Sequence, residues 1–332
     1  MSSRTNITDL QPAQLVQGVY AIQNCQLGQT KTGKPYIRCL VADRTGRTPG
    51  RMWNATEDLF RSLPTNGFVH LEGETQPYQG ELQIIIRSMQ PHDPSDRELR
   101  ELLPSTEGDV DQMFAEVLRR LQQLEHPAIR ALTERYLADG ELMDKFCQAP
   151  AAQTLHHAYL GGLLEHTLTL MRIAEKVLPV YPQLNRDLVV FGLFLHDLGK
   201  CSELTWERGF GYDTDGHLVG HVARGSLWLE DKANQCAEEG VTIPEPILRA
   251  LHHIILSHHQ QPEFGAQKIP AIPEAWCVSL IDNLDAKLHM AITAARTDES
   301  PGSGGELGGD FTEKIWALGT RMYRPDPTMV EE

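Results

Sequence analysis

The spacing of apolar residues changes along the chain from an alternating pattern to a helical one. Between residues 18 and 90 apolar and polar residues alternate, so that Ile37, Cys39 and Val41 would fall on one face. Alternation of this kind is typical of half-buried β-strands. From about Asp109 onwards apolar residues recur every three to four positions, which is typical of amphipathic helices. The two periods predict two domains of different class.

The first domain is expected to be a small Greek-key barrel. About five short strands are predicted between turn signals such as TGK and NG, with a helical interruption near Glu57–Ser62. In the last of these strands Leu82, Ile84 and Ile86 are expected to point inward and Gln83 outward.

The second domain is expected to be a bundle of helices. Three apolar stripes support it: Leu160, Leu164, Leu168 and Met171; Ile247, Leu251 and Ile255; Val278, Ile281, Leu284 and Leu288. We therefore divide the chain into a barrel (1–92), a linker with lead-in helices (93–150), a helical domain (151–300) and a Gly-rich segment with a tail (301–332).

The net charge of −15 is unevenly distributed along the chain. Residues 1–92 contain nine Lys and Arg and seven Asp and Glu, a net charge of +2, so the rest carries −17. Electrostatic contact with phosphates would therefore come from the first domain, or from metal ions in the second. A neutral barrel with no nucleic-acid partner would have the same charge.

Six scattered cysteines form no CxxC pair, which argues against a thiolate zinc site or a disulfide framework and indicates a reducing compartment. The N-terminal residues lack the basic and apolar regions of a signal peptide, and no apolar stretch approaches the ~18 residues of a membrane span. A cytoplasmic protein with no membrane partner is expected. A homo-oligomer is compatible with the sequence, which leaves the oligomeric state open.

Histidines and aspartates stand at helix positions where a core would favour leucine. His196-Asp197 ends an apolar run with Gly199 as the expected helix stop, His166 lies in GLLEHTL, and Asp282 lies on a partly apolar helix face. Such side chains can converge on one divalent ion, because a buried carboxylate is costly unless it is paired or bound to metal. Imidazole and carboxylate ligands without thiolate suit Mn²⁺, Fe²⁺, Zn²⁺ or Mg²⁺. Each residue alone has a simpler alternative, a buried and hydrogen-bonded side chain.

These residues resemble the His…His-Asp…Asp signature of HD-domain phosphohydrolases. The chain is also similar to the YhaM family of 3′-to-5′ exoribonucleases in five segments, which in order are APAAQTLHHAYLGGLLEHTL, HDLGK, LVGH, SHH and DNLDAK. The segment TGKPYIRCLVADRTG, together with Trp53, resembles the start of that family's oligonucleotide-binding (OB) barrel. The resemblance covers roughly residues 15–300. It implies a multidomain α+β protein, in which a small N-terminal all-β OB-type barrel precedes an all-α HD-domain bundle. It also implies hydrolysis of single-stranded RNA from the 3′ end to nucleoside monophosphates, with single-stranded DNA as a second candidate.

The resemblance assigns roles to particular residues. It implies that a first ion, expected to be Mn²⁺, is bound by His166, His196, Asp197 and Asp282. It implies that a second ion or a substrate phosphate is bound by His221 and His258, with His259 as a further ligand or else a surface histidine. Asp197 is expected to position the attacking water as well. Lys200 is expected either to donate to a phosphate oxygen or to cap its helix.

Two features near these ligands have no settled role. The chain departs from the family after SHH, where Gln260 stands in place of the usual Gly, so the substrate mouth is expected to differ. The pair His156-His157 is family-like and is expected to be structural or to contact substrate.

Aromatic and basic residues of the barrel are predicted to hold a single strand, because aromatic rings stack on bases and cations follow phosphates. This predicted RNA-contact surface comprises Lys31, Lys34, Tyr36, Arg38, Arg51, Trp53 and Tyr78. Two alternatives stay open: Trp53 as a core residue of the barrel, and the lysines and arginines as ordinary solvated side chains.

Two other functions are compatible with the sequence. One is an HD phosphohydrolase acting on free or cyclic nucleotides, which would have little use for the barrel. The other is a non-catalytic OB-type nucleic-acid-binding protein, against which the intact set of metal ligands argues.

Overall fold

The computed structural model describes residues 4–30, 32–78, 81–153, 156–206, 209–297, 310–312, 314–325 and 328. The chain forms two compact units, Met1–Ser105 with Thr205–Gly211, and Thr106–Leu204 with Tyr212–Glu332. The sequence-predicted Gly-rich segment at 301–309 lies outside the described residues, as does Lys31. Within the described ranges, no helix combines the length and apolar character needed to cross a bilayer.

The first unit is a closed five-stranded barrel, which confirms the predicted fold class of this half. Its strands are β1 (Leu15–Gln29), β2 (Pro35–Asp43), β3 (Gly46–Trp53), β4 (Gly67–Tyr78) and β5 (Glu81–Pro91). The neighbour order is β1-β2-β3-β5-β4, with a parallel β3–β5 pair and antiparallel pairing elsewhere. Helix α1 (Glu57–Ser62) links β3 to β4 at the residues predicted for it. A 3₁₀ turn (Ile7–Asp9) precedes the barrel and α2 (Asp96–Leu102) follows it.

The barrel core follows the predicted alternation in β2, where Ile37 and Val41 are fully buried and Cys39 is nearly so. Ile84 and Ile86 of β5 are buried as well. The prediction that Gln83 faces solvent was wrong, because its side chain is 5% exposed. Gln83 is paired with Gln76 of β4, and the next two residues of β5 are also paired with β3, so the residue lies where three strands of the closed barrel meet.

The second unit is helical, as predicted. Its helices are α3 (Val110–Leu121), α4 (Pro127–Leu137), α5 (Gly140–Gln148), α6 (Gly162–Val177), α7 (Arg186–Leu195), α8 (Lys200–Glu203), α9 (Thr214–Leu218), α10 (His221–Glu238), α11 (Glu245–Ser257) and α12 (Pro273–Ile292). Two-residue strands β6 (Leu204–Thr205) and β7 (Gly211–Tyr212) pair between α8 and α9. A 3₁₀ turn (Pro262–Phe264) precedes α12 and a π-helical turn (Thr293–Thr297) follows it.

The apolar stripes of the sequence are only partly correct. Leu160 precedes α6, which begins at Gly162. On α12, Val278 and Ile281 are buried as expected, but Leu284 and Leu288 are about half exposed. In this part of α12 the inward face is occupied by Asp282 and Asp285, so Leu284 and Leu288 point outward.

Candidate metal centre

Four predicted ligands from three helical regions meet inside the second unit. His166 lies in the second turn of α6, His196-Asp197 directly follows α7, and Asp282 lies in the middle of α12. Nε2 of His166 is 3.3 Å from Asp282 Oδ1 and 3.7 Å from Asp197 Oδ2. Nε2 of His196 is 3.4 Å from Asp197 Oδ2 and 3.9 Å from Asp282 Oδ1. The two imidazoles therefore face the same two carboxylates.

Several ligand atoms of this centre are buried without a hydrogen bond. They are Nε2 of His166, of His196 and of His258, and Oδ1 of Asp197. A buried polar atom with no partner costs roughly 1–3 kcal/mol, so such atoms are rare unless something else satisfies them. Because three imidazole nitrogens and a carboxylate oxygen face one region, the residues fit a divalent metal ion.

Local backbone geometry explains how two of the histidines are aimed. His196 caps the C-terminus of α7, and its Nδ1 bonds the free carbonyl of Leu193 at 2.8 Å. His258 caps α11 in the same way, with Nδ1 at 2.7 Å from the carbonyl of Ile255. Each ring donates from Nδ1, since a carbonyl only accepts. With Nδ1 as the donor, Nε2 of each ring is the nitrogen directed at the centre.

The first group of ligands consists of His166, His196, Asp197 and Asp282. A second group beside it consists of His221, His258 and His259, whose ligand atoms lie within 4.8 Å of one another. Nε2 of His221 and Nε2 of His258 are each 3.5 Å from Asp197 Oδ1. Asp197 therefore turns Oδ2 to the first group and Oδ1 to the second. This arrangement could accommodate one ion or two.

The turn after α7 brings the two groups of ligands together. Gly199 lies in this turn, but it is not the helix stop that the sequence predicted. Gly199 has ordinary helical φ and ψ, so it is not a left-handed helix stop, and α7 already ends at Leu195. Instead, a Cβ on Gly199 would lie 2.1 Å from the carbonyl oxygen of His221. Glycine is needed for the close approach of the two backbones.

Lys200 points into the centre rather than capping its helix. Its Nζ donates to Asp197 Oδ2 at 2.7 Å, and the side chain is buried. Burial opposes ionisation of both groups, but Lys200 and His196 hold the pKa of Asp197 well below its usual range, and Asp197 in turn raises the pKa of Lys200. Both residues are therefore charged at neutral pH.

The other ionisable groups of the centre also have shifted pKa values. Burial lowers the pKa of His258, and burial with His258 nearby lowers that of His259 to about 2. Burial also opposes ionisation of Asp282 and protonation of His166, but the attraction between the carboxylates and the imidazolium outweighs the effect of burial on both groups. His166 lowers the pKa of Asp282, and without a metal ion the carboxylates of Asp282 and Asp285 raise that of His166 to about 9.

Two residues of the centre, Glu203 and Asp285, were not predicted from the sequence. Glu203 bonds Nδ1 of His221 and accepts from its backbone N–H. Asp285 accepts hydrogen bonds from His157 and His166. The i,i+3 spacing of Asp282 and Asp285 was a usable signal for the latter, because it places both on one face of α12.

His156 lies at the edge of the centre, with its ring 5.7 Å from that of His166. Its Nδ1 is buried without a hydrogen bond, while the side chain as a whole is partly exposed. Burial, together with the nearby Lys200 cation, lowers the pKa of His156 to about 3, so the ring is neutral.

The predicted RNA-contact residues that the structure describes lie on the barrel. Tyr36 and Trp53 are cross-strand partners, with ring centroids 5.2 Å apart. Trp53 is 43% exposed, so the alternative that it belongs to the core is wrong. The guanidinium of Arg51 lies 4.9 Å from the centre of the Tyr78 ring. Lys34 is exposed, as is Arg38, which bonds Gln26.

Glycine 28 explains the position of the Tyr36 ring. A Cβ on Gly28 would lie 2.9 Å from the ring, so the absence of a side chain lets Tyr36 lie against β1. Tyr36, Trp53 and Arg51 therefore form a partly open aromatic and cationic surface on β2 and β3.

Comparisons with known proteins agree with this architecture. Residues 163–287 match the HD domain family. The chain is 30% identical over 312 residues to the 3′-5′ exoribonuclease YhaM of Shouchella clausii (strain KSM-K16), which covers 93% of each protein. It is 28% identical to proteins of the same name from Halalkalibacterium halodurans, covering 95% of each, and from Bacillus subtilis (strain 168), covering 92% of this chain and 93% of that protein. This chain therefore belongs to the YhaM family of 3′-5′ exoribonucleases and is a hydrolase containing an HD domain.

Proposed function

We propose that the protein is a metal-dependent 3′-to-5′ exoribonuclease, which hydrolyses phosphodiester bonds of single-stranded RNA and releases nucleoside monophosphates. The observation that carries the proposal is the set of buried ligand atoms without a hydrogen bond on His166, His196, Asp197 and His258. The relatives in the same family are named for 3′-5′ exoribonuclease activity and match nearly the full length of this chain.

The metal ligands of the proposal are His166, His196, Asp197 and Asp282 for a first ion, and Asp197, His221, His258 and His259 for a second. We propose Mn²⁺ as the ion, with Mg²⁺, Fe²⁺ and Zn²⁺ as alternatives, because imidazole and carboxylate ligands without thiolate suit all four. A bound ion would lower the pKa of a water ligand and neutralise charge on the phosphate oxygens.

The residues of the chain have separate parts in this reaction. Asp197 orients the attacking water. Lys200 keeps Asp197 ionised and adds positive charge close to the phosphate. Asp197 and Lys200 are thus the catalytic residues of the proposal, and both are held by their mutual hydrogen bond.

The barrel is assigned the task of holding the strand, with residues 1–92 as the nucleic-acid-binding domain and 151–300 as the catalytic domain. The exposed Trp53, its partner Tyr36 and the cation at Arg51 support this assignment, because stacking and charge together hold single strands irrespective of sequence. We also propose a cytoplasmic location, which the six free cysteines support.

One experiment separates this proposal from the other functions. The protein is incubated with Mn²⁺ and with the same RNA oligonucleotide carrying either a 5′ or a 3′ label. We expect the 5′-labelled RNA to shorten progressively and the 3′-labelled RNA to release labelled mononucleotide at once. Asp197→Ala is expected to remain folded and to release nothing.

Hydrolysis of free or cyclic nucleotides without cleavage of RNA would contradict the proposal, as would RNA binding without any cleavage. A parallel assay on single-stranded DNA of the same sequence measures the preference for ribose. Full activity of Asp197→Ala would remove the HD centre from the reaction.

A further inference from the structure

Asp285 is the meeting point of a chain of hydrogen bonds behind the metal centre. Its Oδ2 is 2.7 Å from Nδ1 of His166 and 3.0 Å from Nε2 of His157. Nδ1 of His157 is in turn 2.6 Å from the hydroxyl of Tyr159. The chain therefore runs from a loop before α6, through α12, to a ligand on α6.

The chemistry of these groups assigns the protons. Its Oδ2 lies within hydrogen-bond distance of two ring nitrogens, and a carboxylate oxygen can only accept. Each histidine must therefore present an N–H to it. With its proton on Nδ1, His166 has Nε2 left as the nitrogen that can bind a metal ion. That nitrogen is the atom that faces Asp197 and Asp282.

The ligand atoms of His157, His166 and Asp285 lie close enough together to resemble a separate metal site. Their separations of 2.7 and 3.0 Å are instead those of direct hydrogen bonds, in which protons lie between the heavy atoms. Because His166 bonds Asp285 with Nδ1 and faces Asp197 and Asp282 with Nε2, we interpret this group as a support for His166 and not as an ion site.

Unusual backbone geometry holds the support in place. His157 has a left-handed φ of +50°, which is uncommon and strained for a residue other than glycine. Its carbonyl accepts from the backbone N–H of Ala151 and of Tyr159. A Cβ on Gly162 would lie 2.1 Å from this carbonyl oxygen, so glycine at the start of α6 permits the conformation.

We propose that Asp285 and His157 are positioning residues that keep His166 in the tautomer with its proton on Nδ1, so that Nε2 is available to a metal ion. Hydrogen-bonded carboxylates behind metal-binding histidines generally fix the ring and raise its basicity. This role rests on the proposed metal-dependent function.

The first test measures binding of Mn²⁺ alone by calorimetry. Loss of such a supporting group generally weakens metal affinity about 10- to 100-fold. We expect a loss in that range for Asp285→Ala, and a smaller one for Asp285→Asn, which keeps an acceptor but not the charge. Asp231→Asn is the matched control, because it makes the same change at an exposed residue of α10 and is expected to bind Mn²⁺ normally.

The second test asks whether the donor matters beyond simple packing. His157→Ala removes the N–H that faces Asp285, whereas His157→Gln keeps an N–H donor on a side chain of similar reach. We expect His157→Ala to bind Mn²⁺ less tightly than the wild type and His157→Gln to recover most of the affinity. A third measurement, ¹⁵N NMR of the histidines in Zn²⁺-loaded protein, should place the proton of His166 on Nδ1.

Equal Mn²⁺ affinity of the wild type and Asp285→Ala would overturn the role of Asp285, even if the wild type degrades RNA as proposed. A proton on Nε2 of His166 in the loaded wild type would overturn it as well. A wild-type protein that binds no Mn²⁺, Mg²⁺, Fe²⁺ or Zn²⁺ would overturn the proposed function and this role together.

Discussion

The backbone of Gly199 lies against that of His221, so closely that a Cβ at residue 199 would sit 2.1 Å from the His221 carbonyl oxygen. This contact places the turn that carries His196-Asp197 beside the first residue of α10. It is the reason that one oxygen of Asp197 can face His221 and the other can face His166.

Gly199→Ala should therefore damage the centre even though its backbone angles suit alanine. Forced separation of packed groups typically costs about 1–3 kcal/mol. We expect a lower melting temperature and slower RNA hydrolysis. Gly140→Ala is the control, because a Cβ there meets nothing within 4 Å at the first residue of α5. Unchanged activity in Gly199→Ala would show that the two backbones can separate freely.

Lys200 and Lys232 are both buried lysines paired with an aspartate, but only Lys200 lies in the centre. Lys200 pairs with Asp197, and Lys232 pairs with Asp139. Lys200→Met leaves the buried Asp197 without its cation, a loss on the order of 3–5 kcal/mol for a buried pair. We expect the loss of melting temperature to be large in EDTA and smaller with Mn²⁺, since a metal ion supplies the missing positive charge.

The comparison variant is Lys232→Met, in which Mn²⁺ should not alter the deficit in melting temperature. A deficit in Lys200→Met that is the same with and without Mn²⁺ would argue against a metal ion beside Asp197.

Trp53→Ala should weaken binding of single-stranded RNA. Stacking of one base on an aromatic ring contributes about 1–3 kcal/mol, which corresponds to a loss of roughly 5- to 150-fold. Fluorescence anisotropy in EDTA measures binding without cleavage. Tyr181→Ala is the control, because Tyr181 is also an exposed aromatic residue but lies in the helical unit. Equal RNA affinity of Trp53→Ala and the wild type would exclude the barrel face as a stacking surface.

Gln260 has a left-handed φ of +68°, and its side-chain amide donates to the carbonyl of Ser279 at 2.9 Å. Glycine adopts such a φ without strain, which would account for the Gly that the resemblance implies at this position. We expect Gln260→Ala to lower stability by about 1 kcal/mol, because it keeps the strain and loses the hydrogen bond. Gln260→Gly should stay close to the wild type in chemical denaturation. A larger loss in the glycine variant than in the alanine variant would contradict this account.

Glu116 should make stability depend on pH in the acidic range. The hydrogen bond from Arg172, with Arg120 also close, lowers the pKa of Glu116 to about 2 from an ordinary value of 4.5. Because the folded pKa is the lower one, the stabilisation is complete above pH 4.5 and disappears as the pH falls towards 2.

The melting temperature of Glu116→Gln should therefore fall below that of the wild type at pH 7, and the difference should shrink between pH 4.5 and 2. Glu141→Gln, at an exposed i,i+4 pair on α5, is the control and should show little difference at any pH. A difference for Glu116→Gln that does not change with pH would contradict the assignment.

Some residues could be placed from the sequence because the period of apolar residues and the cost of burying a charge depend only on nearby residues. The period of the apolar residues predicted the barrel strands, α1 and the helical half. The spacing of Leu251, Ile255 and His258 corresponds to one face of a helix, and the three side chains are buried. The cost of burying a charge identified Asp282 as a residue that needs a partner.

By itself, the sequence determined the order of a β-barrel and a helical domain, and the residue types that could bind a metal ion, because hydrophobic period and burial cost act over a few neighbouring residues. Only the tertiary structure decided that Asp197 faces both histidine groups, that Asp285 supports His166, that Gly199 serves a close contact, and that Trp53 lies at the surface. These relations depend on distances between residues far apart in the chain, and the packing of whole helices and strands sets those distances.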